Sequence, residues 1–175
     1  MNATGVSLSS PIEEKIAWAQ YYHQKFGVQL LKDESILILK AGLEDAIHAS
    51  HRAMEDAGVV GMCRECEELE GGSCCGAGLE NRYDGWLLVI NLLLGVELPQ
   101  ERRDPGSCFF LGKAGCLLKA RPVICVNYLC EKITHRIDPL KIKIPQEREG
   151  VELNTLFLLT EKLKNVTRCK DEPCK

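Results

Sequence analysis

Apolar residues recur at Ile12, Ile16, Ala19, Tyr22 and Phe26 with polar residues between them. Spacings of three and four predict an amphipathic helix. Ser10-Pro11-Ile12-Glu13 reads as its start, with Ser10 as cap, Pro11 first in the helix and Glu13 closing a capping box. Gly27 reads as its end. The run Ser35-Ile36-Leu37-Ile38-Leu39 suits either a buried strand or the beginning of the next helix. Leu43, Ile47, Met54 and Ala57, with the small Ser50, share one face of a helix predicted over residues 43–57, and Gly58 follows. The longest apolar stretch, Trp86 to Val96, falls well short of the about 20 residues that cross a membrane, so it predicts a buried helix over residues 83–97. A further helix is expected over residues 122–135, with Pro122 at its start. A charged linker over 138–150 carries Pro139 and Pro145. A final amphipathic helix over 151–166 places Leu156, Leu159, Leu163 and Val166 on one side. The fold class predicted is mainly α, a helical single domain over residues 1–175 with residues 168–175 as a frayed polar tail.

Cysteines change this picture. Eight of the ten fall between residues 63 and 130 in two blocks of four: Cys63, Cys66, Cys74, Cys75, and then Cys108, Cys116, Cys125, Cys130. Such a density means disulfides, metal ligands or redox thiols. A chain of 175 residues that is 45% hydrophobic can bury a core without covalent staples. Residues 1–15 have neither the charged start nor the apolar stretch of a secretory signal, so the expected location is the cytoplasm, where thiols stay reduced. The expectation is therefore an irregular cysteine-lined metal-binding centre over residues 60–132. Cys63-x2-Cys66 is a pair of the kind found in zinc and iron–sulfur sites. A turn over residues 112–115 can bring Cys108 and Cys116 together. The acidic and glycine-rich run over 67–73 reads as an exposed turn. Adjacent side chains point apart in extended backbone, so Cys74 and Cys75 suit two different ions; a vicinal disulfide is the redox alternative. Four thiolates satisfy zinc and iron–sulfur clusters equally, so spacing does not choose between them. Cys169 and Cys174 lie outside both blocks, in the polar tail.

The net charge of −3 gives no basic face for nucleic acid, and no membrane partner is expected. Against an enzyme, no phosphate loop and no Ser-His-Asp order is visible, and Gly76-Ala77-Gly78 reads as a turn. His48 and His51 lie three apart with Asp45 three before them, which offers weak additional ligands; His135 follows Cys130 by five residues. The aromatics Trp18, Tyr21 and Phe26 read as core, or as a docking face for an unidentified protein partner if exposed.

The order Cys63-x2-Cys66, Cys74-Cys75, Cys108, Cys116 and then Arg121-Pro122-x2-Cys125-x2-Tyr128-x-Cys130 resembles the YkgJ-type cysteine-cluster family. The resemblance covers about residues 60–132, and the seven residues between Cys66 and Cys74 depart from the short gap usual there. It implies a cytoplasmic bacterial protein holding an iron–sulfur cluster or zinc. It carries over the eight cysteines as ligands and Arg121 as a donor beside the cofactor. Flagellin lysine N-methylases look built on the same signature, so an iron–sulfur-dependent enzyme is the alternative to a structural or electron-transfer role.

Overall fold

The computed structural model describes residues 6–69 and 74–171; side chains over 67–69 and 168–171 are not described. It is mainly helical and forms a single compact unit. No helix among the described residues is long and apolar enough to cross a membrane.

α1 spans Ile12–Leu30. Pro11 takes an extended ψ of 151°, so the helix begins one residue later than expected and Ser10 does not cap it. Gly27 does not end it either. A Cβ there would lie 2.9 Å from Cδ2 of His23, so this glycine makes room for a side chain inside the helix. α2 spans Glu34–Asp56, and Asp33 Oδ1 accepts from the amide of Ile36 at 3.2 Å. The ambiguous run at 35–39 is thus helical, with Ile36 buried and Leu37 and Ile38 exposed. α3 spans Val59–Leu69, so the start of the cysteine-lined centre expected to be irregular is helical. After a 3-10 turn at Leu79–Arg82, α4 runs over Gly85–Leu93, capped by Asp84, whose Oδ1 accepts from Leu87 N at 2.7 Å.

α1 packs against α4. Trp86 meets Trp18 edge-on at 5.4 Å and Tyr22 at 4.9 Å. Gly85 permits the approach, because a Cβ there would stand 2.6 Å from the Trp18 ring. Trp18 is core, Phe26 packs against the core and Tyr21 is exposed. β1, Leu111–Gly112, pairs antiparallel with β2, Gly115–Cys116, which forms the expected hairpin.

The helix expected over 122–135 breaks in two: α5, Val123–Val126, and α6, Glu131–Arg136. Cys130 precedes α6 with an extended ψ of 164°, so Cys125 and Cys130 belong to different elements. The expected linker is also helical. α7 spans Pro139–Asp171 and contains Pro145, so it takes in the start of the expected frayed tail. Proline costs a helix one donor, but Ile142 is buried with Val59, Ile133 and Ile137 in a second apolar cluster, which draws this first part of α7 into the helix. α7 lies antiparallel to α2, as Asp33 pairs with Lys162 at 3.6 Å and Gly42 stands beside Thr155. Leu43, Leu156, Leu159 and Leu163 are buried there.

One polar residue in the apolar stretch has a structural task. Asn91 is fully buried. Its Nδ2 donates to the carbonyls of Leu87 and Ala120, both at 2.9 Å. Its Oδ1 accepts from the amides of Lys119 at 2.9 Å and Ala120 at 3.1 Å. α4 therefore grips the strand-like segment that leads to Arg121 and Cys125. Asn91→Ala is expected to lower stability by about 2–4 kcal/mol in urea unfolding, because it strands several buried backbone groups at once. A loss below about 1 kcal/mol would contradict this role.

Candidate metal centre

Two backbone segments meet at the centre. The amide of Cys108 donates to the carbonyl of Cys75 at 2.6 Å, and the amide of Ala77 donates to Gly106 O at 3.0 Å. Gly76 and Ser107 form an antiparallel bridge between these bonds. The last cysteine of the first block is thereby stitched to the first cysteine of the second.

Glu80 locks that stitch from below. It is 4% exposed, and Arg102 donates to it through Nη2. Glu80 Oε2 also accepts from the amides of Gly78 at 3.0 Å and Phe109 at 3.4 Å. Arg102 Nη1 donates in turn to Ser107 O. Gly78 makes the bond possible through its left-handed φ of +94°. Burial alone would raise the Glu80 carboxyl, but Arg102 and the backbone amides outweigh it and hold it below the usual carboxylate range.

None of the eight cysteines between residues 63 and 130 forms a disulfide. Cys63 and Cys66 are three apart on α3, one turn of helix, rather than on a loop. Burial raises the Cys63 thiol, and the neighbouring thiols that add to this are Cys74, Cys130, Cys75 and Cys66. Cys74, also raised first by burial, feels Cys130, Cys75 and Cys66. The other neighbourhood is distinct. Cys108 is pushed up to about 11, by burial and then by Glu80, Cys116 and Cys75. Cys116 and Cys125 are raised by burial, and both feel Cys75. Cys125 also feels Cys116. In these mutual influences Cys63 and Cys74 feel Cys66 and Cys130, whereas Cys116 acts on Cys108 and Cys125. Cys75 acts on both and is stitched to Cys108.

Further groups line these thiols. Tyr83 is buried and donates its hydroxyl to Cys125 Sγ at 3.7 Å. Burial, Cys116 and Cys125 keep its phenol protonated far above the ordinary range. Its ring packs on Phe110 at 4.8 Å, and Phe109, Phe110 and Leu111 are all buried. The charge of Arg121 partly opposes the upward shift of Cys116 and Cys125. On the other side, Lys132 Nζ donates to Cys66 Sγ at 3.4 Å and stands 3.7 Å from Glu65. Lys132 links α6 to α3.

Other candidates are placed elsewhere. His48, Asp45 and His135 are exposed, and His51 pairs with Glu55 at 3.6 Å. Tyr128 is exposed. Residues 67–69 of the expected acidic and glycine-rich turn are helical as the end of α3, and residues 70–73, the side chain of Cys169 and all of Cys174 lie outside the described residues. Among the described residues, no three histidine, cysteine or acidic side chains are gathered closely enough to hold one ion. Soft sulfur donors are those a thiophilic metal prefers; of the eight, Cys108 is buried, Cys66, Cys75, Cys125 and Cys130 are half-buried, and Cys63, Cys74 and Cys116 are exposed. The thiols are neighbours without being closed onto a common point. The chain matches no family model, no curated protein and no solved structure.

Glu80, Arg102, Tyr83, Asn91 and Lys132 are the participants that sequence reasoning missed. Only Asn91 gave a signal, as a lone amide in an apolar helix.

Arg102→Ala leaves Glu80 charged and unpaired, so it is expected to cost about 3–5 kcal/mol in denaturant unfolding. The pH dependence follows from the lowered carboxyl. Its contribution is full above the unfolded value near 4.3 and is lost as pH falls through the lower folded value. Glu80→Gln removes that part of the acid sensitivity while lowering stability at pH 7. Identical acid unfolding profiles for the variant and the wild type would contradict the assignment.

Proposed function

We propose that this chain is a metal-binding protein that holds an iron–sulfur cluster or zinc through its cysteine thiolates, in a structural or electron-transfer role. The observation that carries the reading is the backbone bond that joins Cys75 of the first block to Cys108 of the second and so draws free cysteines together from distant parts of the chain. Four sulfur donors complete a tetrahedral zinc site or ligate one cluster. A set that uses four protein thiolates has no position open for substrate, which favours a structural or electron-transfer role over catalysis. The resemblance to the YkgJ-type cysteine-cluster family points the same way.

Each set has its own supports. In the first, Cys63, Cys66, Cys74 and Cys130 are the donors, and Lys132 supplies a charge-assisted hydrogen bond to Cys66. In the second, Cys75, Cys108, Cys116 and Cys125 are the donors. Tyr83 donates to Cys125, Arg121 offsets thiolate charge, and Phe109, Phe110 and Leu111 exclude water. The raised thiols fit this role. Burial and neighbouring thiols raise Cys63, Cys74, Cys108, Cys116 and Cys125 despite Arg121, and metal ligation would release those protons and reverse the preference. A bound cluster would supply a one-electron redox couple, and zinc would supply a cross-link between segments.

Protein purified anaerobically should contain iron with matching acid-labile sulfide, or one to two zinc ions per chain. Chelation under reducing conditions should lower the melting temperature and speed amide exchange around the cysteines of residues 59–136, because ligand bonds would cross-link those segments. Metal-free protein as isolated, or a melting curve unchanged by chelation, would contradict the proposal.

A further inference from the structure

The seam between α2 and α7 changes character near Ser50. Glu149 and Glu152 enter from α7 at 2% and 1% exposure, and Ser50 enters from α2 at 1%. Their spacing of three puts both carboxyls on one face of α7. Glu149 Oε1, both carboxylate oxygens of Glu152 and Ser50 Oγ have no hydrogen-bond partner. Ser50 lies against Glu152, with its hydroxyl short of hydrogen-bond geometry.

The charges around this cluster do not complete it. Burial raises both carboxyls, and the charge of Glu152 raises Glu149 further. Arg121 faces both carboxyls, and His51 faces Glu152. That same Arg121 also faces Cys116 and Cys125. One guanidinium therefore serves four acidic groups. His51 is more than half exposed and paired with Glu55, so it adds little. Buried oxygens in this number are ordinarily bonded or bound to an ion.

We propose that Glu149, Glu152 and Ser50 form a site for one small divalent cation of the magnesium or manganese class. The donors are all oxygen, which selects a hard ion over the zinc or iron preferred by thiols. Two carboxylates balance the ion's charge. Ser50 gives a neutral third donor from the facing helix, and water fills the remaining positions, as is usual for such ions. This inference does not depend on what the thiols hold.

The test uses the full chain, purified anaerobically and titrated with manganese while its free-ion electron paramagnetic resonance signal is followed. The wild type should take up about one equivalent and release it to excess magnesium, and magnesium should raise its melting temperature. Glu152→Gln, nearly isosteric and relieved of a buried charge, should lose both responses; Glu149→Gln serves if that variant does not fold. Glu147→Gln, which removes an exposed carboxylate of the same helix, should keep both, and this ties the uptake to the buried pair and not to the surface charge of α7. No manganese uptake by the wild type would overturn the proposal. So would equal uptake by Glu152→Gln, or uptake lost in Glu147→Gln but kept in Glu152→Gln.

Discussion

The cysteine centre depends on how one buried carboxylate is satisfied. Glu80 receives Arg102, the amide of Gly78 and the amide of Phe109. Gly78 follows the first cysteine block, and Phe109 lies directly after Cys108. A single side chain thus ties the two blocks at their junction. Such a group tolerates no partial arrangement, since a buried charge lacking a partner costs more than the pair returns. This makes the junction all-or-none, and it fixes the register in which Cys75 meets Cys108.

Around that junction the helices form a frame. α1 and α4 supply the apolar mass, and Asn91 turns α4 into a clamp on the segment before Cys125. α2 and α7 form a long antiparallel pair along the other side. α3 and α6 join through Lys132 and the smaller cluster of Val59, Ile133, Ile137 and Ile142. Each thiol neighbourhood draws on distant parts of the sequence. Cys130 joins cysteines more than fifty positions earlier, and Cys75 joins cysteines after position 107. Apolar packing brings these segments together, Val59 and Met62 against Ile133 on one side and Leu79 against Phe109 and Phe110 in the main core on the other.

The sequence made the helical class plain because Ile12 to Phe26 and Leu156 to Val166 carry an unbroken helical period. It misled where tertiary packing overrode local signals. Gly27 and Pro145 are ordinary terminators, yet both lie inside helices, one beside His23 and the other in a segment whose Ile142 is buried. The cysteines stood out as candidate ligands by their density alone. Their division into neighbourhoods did not, because it follows from backbone pairing at Cys75 and from the break between α5 and α6. Glu80 and Arg102 sit among the polar residues of turns and loops, where charge normally means solvent. Nothing local distinguishes a carboxylate that will be buried from one that will not.

The claim that the thiols work as two sets is tested most directly by mapping which of them a bound metal protects from alkylation. Protein purified anaerobically would be treated with iodoacetamide, and modified cysteines located by mass spectrometry, for the wild type and for Cys75→Ser. The account predicts protection of all eight in the wild type. In Cys75→Ser it predicts that Cys108, Cys116 and Cys125 become reactive while Cys63, Cys66, Cys74 and Cys130 stay protected. Equal exposure of all remaining thiols in the variant, or of none, would contradict the division into two sets.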